Sequence, residues 1–276
     1  MRYKTKWYWR LTEIVMLILM TIFTITPIYI LISNSLKRTL DIKKMPPDLI
    51  FTPTLANFQK IFELDSFGKY FTNSMIIAVS TMVITISLGA LAAYGMKLFK
   101  SNIGLKLSNI MLLGKLVPTI TILIPLYIML NRVGITGTYF GPILAHSATT
   151  LPFITWLLAS FIRNIPNELL EAATVMGCSR VRAFFLVIFP LLKPAVASAV
   201  ILTMQFSWNE LMYALQLTNL KTYTLTVGIA KYAGAVSVEW GKCSAAATIT
   251  ILPIIIIGFF MQKYLVTGIT AGAVKG

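Results

Sequence analysis

The chain has 276 residues, 57% of them hydrophobic and only 12% charged, and its mean hydropathy is +0.80. About a quarter of a typical soluble domain is charged, so this chain lacks the polar groups to clothe a water-soluble globule and reads as a polytopic membrane protein. Its net charge of +15 does not point to nucleic acid, because the basic residues flank apolar runs instead of sharing one face, as Arg2, Lys4, Lys6 and Arg10 do before the first run.

The first apolar run, about 11–34, follows its basic patch as a signal peptide would. It is too long for that role and no small-x-small cleavage site follows, so it reads as a retained span. A long loop of mixed sign, 35–70, separates it from further runs at about 71–95, 107–130, 141–162, 191–215 and 244–265. Each is close to the roughly 20 residues that cross a ~30 Å hydrocarbon layer as helix. All six are expected to be helical, because a lipid-exposed backbone must satisfy its own hydrogen bonds. Pro27, Pro118, Pro125, Pro152 and Pro253 fall inside them and predict kinks.

The expected fold is therefore all-α, with six transmembrane helices. It divides at the sequence level into 1–69 (tail, first span and external loop), a five-helix core over 70–265, and a tail over 266–276. Lys97, Lys100 and Lys106 follow the second span and Arg163, Arg180 and Arg182 follow the fourth, whereas the connection after the third carries only Arg132. The positive-inside rule then puts both termini and the loop 163–190 in the cytoplasm, and membrane lipid is a partner throughout. Cys178 and Cys243 fall on opposite membrane faces in this topology, which excludes a disulfide, and neither has metal-ligand spacing.

The loop after the fourth span reads "RNIPNELLEAATVMGCSRVRAFFLVIFP". Pro166 suits a helix start and Glu168 the first turn of one. Leu169, Leu170, Ala173 and Met176 recur at helical spacing, Gly177 suits the stop, and a second helix should run from near Ser179 to Pro190. The small Ala172 and Ala173 would let another protein approach the backbone closely, with Glu171 to hold register; a helical loop resting on the membrane surface reads equally well from spacing alone.

Glu171-Ala172-Ala173 with Gly177 and Ile188-Phe189-Pro190 resembles the EAA signature of permease subunits of binding-protein-dependent ABC importers. "FTNSM" at 71–75, "SWNELMYAL" at 207–215 and "GITAGAVKG" at 268–276 extend the resemblance over nearly the whole chain, to the second permease of the carbohydrate-uptake branch that includes the maltose importer. One departure stands out: Met176-Gly177 occupies the place of Asp-Gly in many relatives.

The resemblance implies the type I importer permease fold, a prokaryotic plasma or inner membrane location, and one half of a sugar translocation path. It also implies a coupling helix in which Glu171, Ala172, Ala173 and Gly177 engage an ATPase. The implied partners are a second homologous permease, two ATP-binding subunits and an extracellular solute-binding protein. No cofactor, catalytic residue or metal is expected on this chain, with ATP and Mg carried by the partners; Gly114-Lys115 lacks both the upstream Gly and the following Ser/Thr of a phosphate loop.

Three other stretches are marked. Trp208, Asn209 and Glu210 fit a carbohydrate path by stacking and hydrogen bonding, and fit equally an interfacial anchor with a structural carboxylate; the resemblance slightly favours the structural role. The loop tip Tyr232, Ala233, Gly234 and Ala235 is either a linker or, by resemblance, a loop that enters the docked binding protein. The tail Gly272, Ala273, Val274, Lys275 and Gly276 either frays or, by resemblance, reaches the ATPases. His146 reads as a hydrogen-bonded residue within a span and Lys115 as a snorkelling one. A secondary transporter or channel would show inverted repeats and paired intramembrane charges, and an intramembrane enzyme would need paired acids or His with Cys or Ser at one depth; neither pattern is visible.

Overall fold

The computed structural model describes residues 7–98, 103–234 and 238–273, with side chains throughout except at 105 and 263–273. Helices dominate it, and among the described residues extended pairing is confined to one bridge, Ala233 with Val238. In chain order they are α1 (Trp7–Ser35), α2 (Thr39–Ile42), α3 (Ala56–Glu63), α4 (Phe67–Leu98), α5 (Ile103–Leu113), α6 (Thr119–Arg132) and α7 (Phe140–Arg163). The short α8 (Asn167–Val175), α9 (Arg180–Ala183) and α10 (Phe189–Leu191) precede α11 (Lys193–Asn209), α12 (Met212–Leu217), α13 (Leu225–Tyr232) and α14 (Trp240–Ala273).

Four helices are long and apolar enough to cross a membrane unbroken: α1, α4, α7 and the Trp240–Gln262 part of α14. The other two expected spans are bent pairs. Lys106–Leu116 meets Thr119–Arg132 at 93°, and Arg180–Leu191 meets Lys193–Asn209 at 77°. The first bend falls at Pro118, which has no N–H to give and pushes Val117 before it to an extended ψ of 122°. Pro27, Pro125, Pro152 and Pro253, by contrast, are absorbed within their helices. The fifth span, expected as one run over 191–215, instead stops at Asn209; Glu210 is extended (ψ 128°) and a new helix begins at Met212.

Chain contacts divide the molecule into two compact units, Met1–Phe67 with Ile229–Ile251, and Gly68–Gly228 with Leu252–Gly276. In the first unit, the most apolar stretch of α1 has no buried residue at all. Its end is held by Asn57 of α3, a buried amide whose Nδ2 donates to the carbonyls of Ser35 (3.0 Å) and Lys37 (2.8 Å). Asn57 also dictates Gly241 at the start of α14, where a Cβ would lie 2.5 Å from Oδ1. Lys242 beside it pairs with Asp65 (3.1 Å) and Glu239 (3.0 Å).

In the second unit α4, α7 and α11 share one core: Ile86, Ala90, Ala93 and Tyr94 against Ile154, Leu158 and Ile162, closed by Phe184, Ile188, Leu192, Ala195 and Ala199. The repeated alanines let helices approach closely, the packing on which membrane bundles rely when lipid is as apolar as leucine. Gly89 continues that small surface, 3.3 Å from Ile154. Polar side chains tie the far end of the unit together. Asn73 donates to the carbonyls of Lys221 (3.1 Å) and Tyr223 (2.9 Å) and accepts from the Tyr139 hydroxyl (2.7 Å), and Ser74 Oγ accepts from the Leu225 N–H (2.8 Å).

Candidate functional site: a helical loop and a buried carboxylate

The EAA stretch forms a short helix of the expected kind. Pro166 caps the start of α8 with Glu168 in its first turn. At its end the Gly177 N–H donates to Thr174 O (2.9 Å) and the Cys178 N–H to Ala173 O (2.9 Å). These two bonds are a Schellman closure, and they need Gly177 at a φ of +81°, where an L side chain is strained. Ser179 opens the next segment, its hydroxyl accepting from the Arg182 N–H at 3.3 Å. The chain then passes through α9 and a π turn, Phe184–Ile188, into α10.

Of the four predicted residues, Ala173 is buried as the inward anchor, while Glu171, Ala172 and Gly177 are exposed. Next to them stand apolar side chains that face outward, Val175 at 87%, Met176 at 77% and Val181 at 68%. A surface loop normally turns such groups inward, and exposed apolar clusters mark contact surfaces. Met176, which departs from the Asp-Gly pattern, therefore enlarges the exposed apolar surface. The loop is tied to the rest of its unit by α4: the Lys97 ammonium donates to Ile165 O (2.6 Å) and the Tyr94 hydroxyl to Arg180 O (3.0 Å). The sequence marked Lys97 only as a topology signal and did not mark Tyr94.

The second marked stretch separates. Trp208 is buried, 1% exposed, with its ring nearly perpendicular to that of Phe71 (5.6 Å between centroids). Glu210 is also turned inward. Its carboxylate accepts from the Tyr213 (3.0 Å) and Ala214 (3.1 Å) N–H groups, doing the work of a cap for α12, and faces His146 Nε2 at 3.3 Å. The other ring nitrogen of His146 meets Ser207 Oγ at 2.8 Å, and Thr226 Oγ1 donates to the Glu210 carbonyl at 2.8 Å. Both Glu210 carboxylate oxygens and both His146 ring nitrogens thus have partners at this break, as a carboxylate inside a membrane protein requires. Asn209 alone of the three remains exposed, one turn from exposed Gln205, whose carbonyl it meets at 3.0 Å. On the same stretch of α11, Phe206 carries the Lys115 ammonium over its ring at 5.0 Å; among the described residues no carboxylate pairs with Lys115.

The remaining marked residues are dispersed. Tyr232 is buried at the end of α13, Ala233 bridges Val238, Gly234 is exposed, and Ala235 lies outside the described residues. The backbone of Gly272 and Ala273 continues α14, and Val274, Lys275 and Gly276 also lie outside the described residues.

Residues 85–271 match the family model described as the binding-protein-dependent transport system inner membrane component. The chain belongs to that family. It is similar to the melibiose/raffinose/stachyose import permease of Bacillus subtilis, 34% identical over 91% of each chain. It is also similar to the trehalose transport system permease of Mycobacterium tuberculosis, 35% identical over 92% of this chain and 93% of that one. In fold it resembles a chain of the bacterial ABC transporter that imports the acidic polysaccharide alginate, with a TM-score of 0.78 over 93% of this chain and 97% of that one at 20% identity. This binding-protein-dependent permease is thus a transport component of a membrane system and not an enzyme.

Proposed function

We propose that this permease imports a carbohydrate by pairing with a second homologous permease to enclose the path, and that its 163–190 loop is the seat of an ATP-binding subunit. The observation that carries the reading is the outward-facing Val175, Met176 and Val181 beside exposed Glu171, on a helix closed at Gly177. An apolar knob on a locally rigid helix fits a groove of a folded partner. The stoichiometry follows the resemblance: one ATP-binding subunit on each permease, with ATP and Mg bound there and no cofactor on this chain, and a solute-binding protein on the opposite face.

Orientation follows charge. Lys97, Arg163, Arg180 and Arg182 cluster around the loop and, by the positive-inside rule, put it and both termini in the cytoplasm. The sugar assignment rests on what the relatives' names state. Within the chain, Asn209, Gln205 and Lys115 supply hydrogen-bonding groups that lipid would not accommodate, so this face of α11 turns to the path, whereas Trp208 and Glu210 support it from behind. Gly234 and its neighbours at the loop tip, and the tail Gly272 to Gly276, are assigned by resemblance to the binding protein and the ATPases.

The test is uptake of radiolabelled melibiose, raffinose and trehalose into vesicles carrying the assembled complex. Glu171→Lys and Gly177→Pro should insert normally and leave ATP hydrolysis in place while uptake falls at least tenfold. Normal uptake in both variants, or uptake by this chain without ATP, would reject the reading.

A further inference from the structure

We propose that Tyr94 and Lys97 are positioning residues that lock the coupling loop to α4, so that loop and helix swing as one lever when the ATPase moves the loop. The inference rests on the reading of the loop as an ATPase seat. The chain itself joins the loop to α7 at one end and to α11 at the other, whereas α4 has no covalent link to it. Beyond the apolar core that α4 and the loop share, what hydrogen-bonds α4 to the loop is a pair of side chains one helical turn apart, and therefore on one face.

Each grips a different shoulder of the loop. Lys97 Nζ donates to Ile165 O at 2.6 Å, just past the last turn of α7, where the helix dipole also favours a cation. Tyr94 Oη donates to Arg180 O at 3.0 Å, the first residue of α9, and its buried ring lies 5.2 Å from that of Phe184 in the π turn. Between these shoulders the loop holds itself, through the Schellman closure at Ala173–Cys178 and the Ser179 cap. A single tether would leave the loop free to swivel about it. Two tethers from one turn of a 32-residue helix fix its direction as well as its position.

The test measures distance within the assembled complex. Spin labels are placed at Ile76→Cys on α4 and Asn167→Cys on α8, with Cys178→Ser and Cys243→Ser, and the complex is compared nucleotide-free and trapped with ATP and orthovanadate. With Tyr94 and Lys97 intact the label distance should be the same in both states. Tyr94→Phe combined with Lys97→Met should give a distance distribution that shifts or broadens on trapping, and Lys97→Arg alone should keep the single distribution. A distance that changes with nucleotide while both tethers are intact would overturn the proposal, as would a double variant that stays unchanged. If the double variant does not assemble, Tyr94→Phe alone takes its place under the same criteria. Failure of any ATP-binding subunit to copurify with the unlabelled chain would instead sink the coupling reading, and is seen before any label is introduced.

Discussion

The helical loop and the break at Glu210 both interrupt apolar runs, and they treat their side chains in opposite ways. At Glu210 the charge goes inward. The carboxylate meets His146 and two backbone N–H groups, and Trp208 beside it is sealed against Phe71. In the loop the backbone is satisfied locally while Val175, Met176 and Val181 are left outside. Buried, paired charge supports a bundle, whereas apolar surface exposed on a closed helix supports the proposed interface. The two regions therefore should respond to substitution in different observables.

The largest effect on stability is expected at the break. Glu210→Ala leaves two buried N–H groups and a His146 ring nitrogen without their acceptor and should cost about 1–3 kcal/mol for each donor left unpaired, read as a lower unfolding temperature in detergent; Glu210→Gln, which keeps acceptor oxygen, should cost less. Gly241→Ala, where the added Cβ meets Asn57, should cost about 1–3 kcal/mol by the same assay. Gly177→Ala forces a side chain to positive φ and should cost about 1–2 kcal/mol. Smallest in stability is Val175→Asp with Met176→Glu: two exposed positions, about 0.5 kcal/mol or less each, yet with recovery of the ATP-binding subunit in copurification reduced at least tenfold. A loop pair that destabilised the chain as much as Glu210→Ala would erase the distinction between the two regions.

Much of the loop was legible because its determinants are local. Pro166, Glu168, Gly177 and Ser179 act within a turn of themselves, so helix start, stop and restart follow from the sequence. The unbroken spans were legible for the same reason, length and hydropathy being properties of a window. What escaped depends on residues far apart in the chain. His146 and Glu210 are separated by 64 positions, and Asn73 reaches carbonyls 148 and 150 positions away. Read alone, Glu210 fitted a path or, slightly better, a structural role, and its partners His146, Tyr213 and Ala214 were not legible in the sequence. Pro118 and Pro125 looked alike in sequence, but one turns the chain through 93° and the other is absorbed. That choice is made by what surrounds each proline.

The most direct measurement is a photo-crosslinker at Val175 in the native membrane. The account predicts a crosslink to an ATP-binding subunit. Adducts to lipid alone, with no second polypeptide, would contradict it.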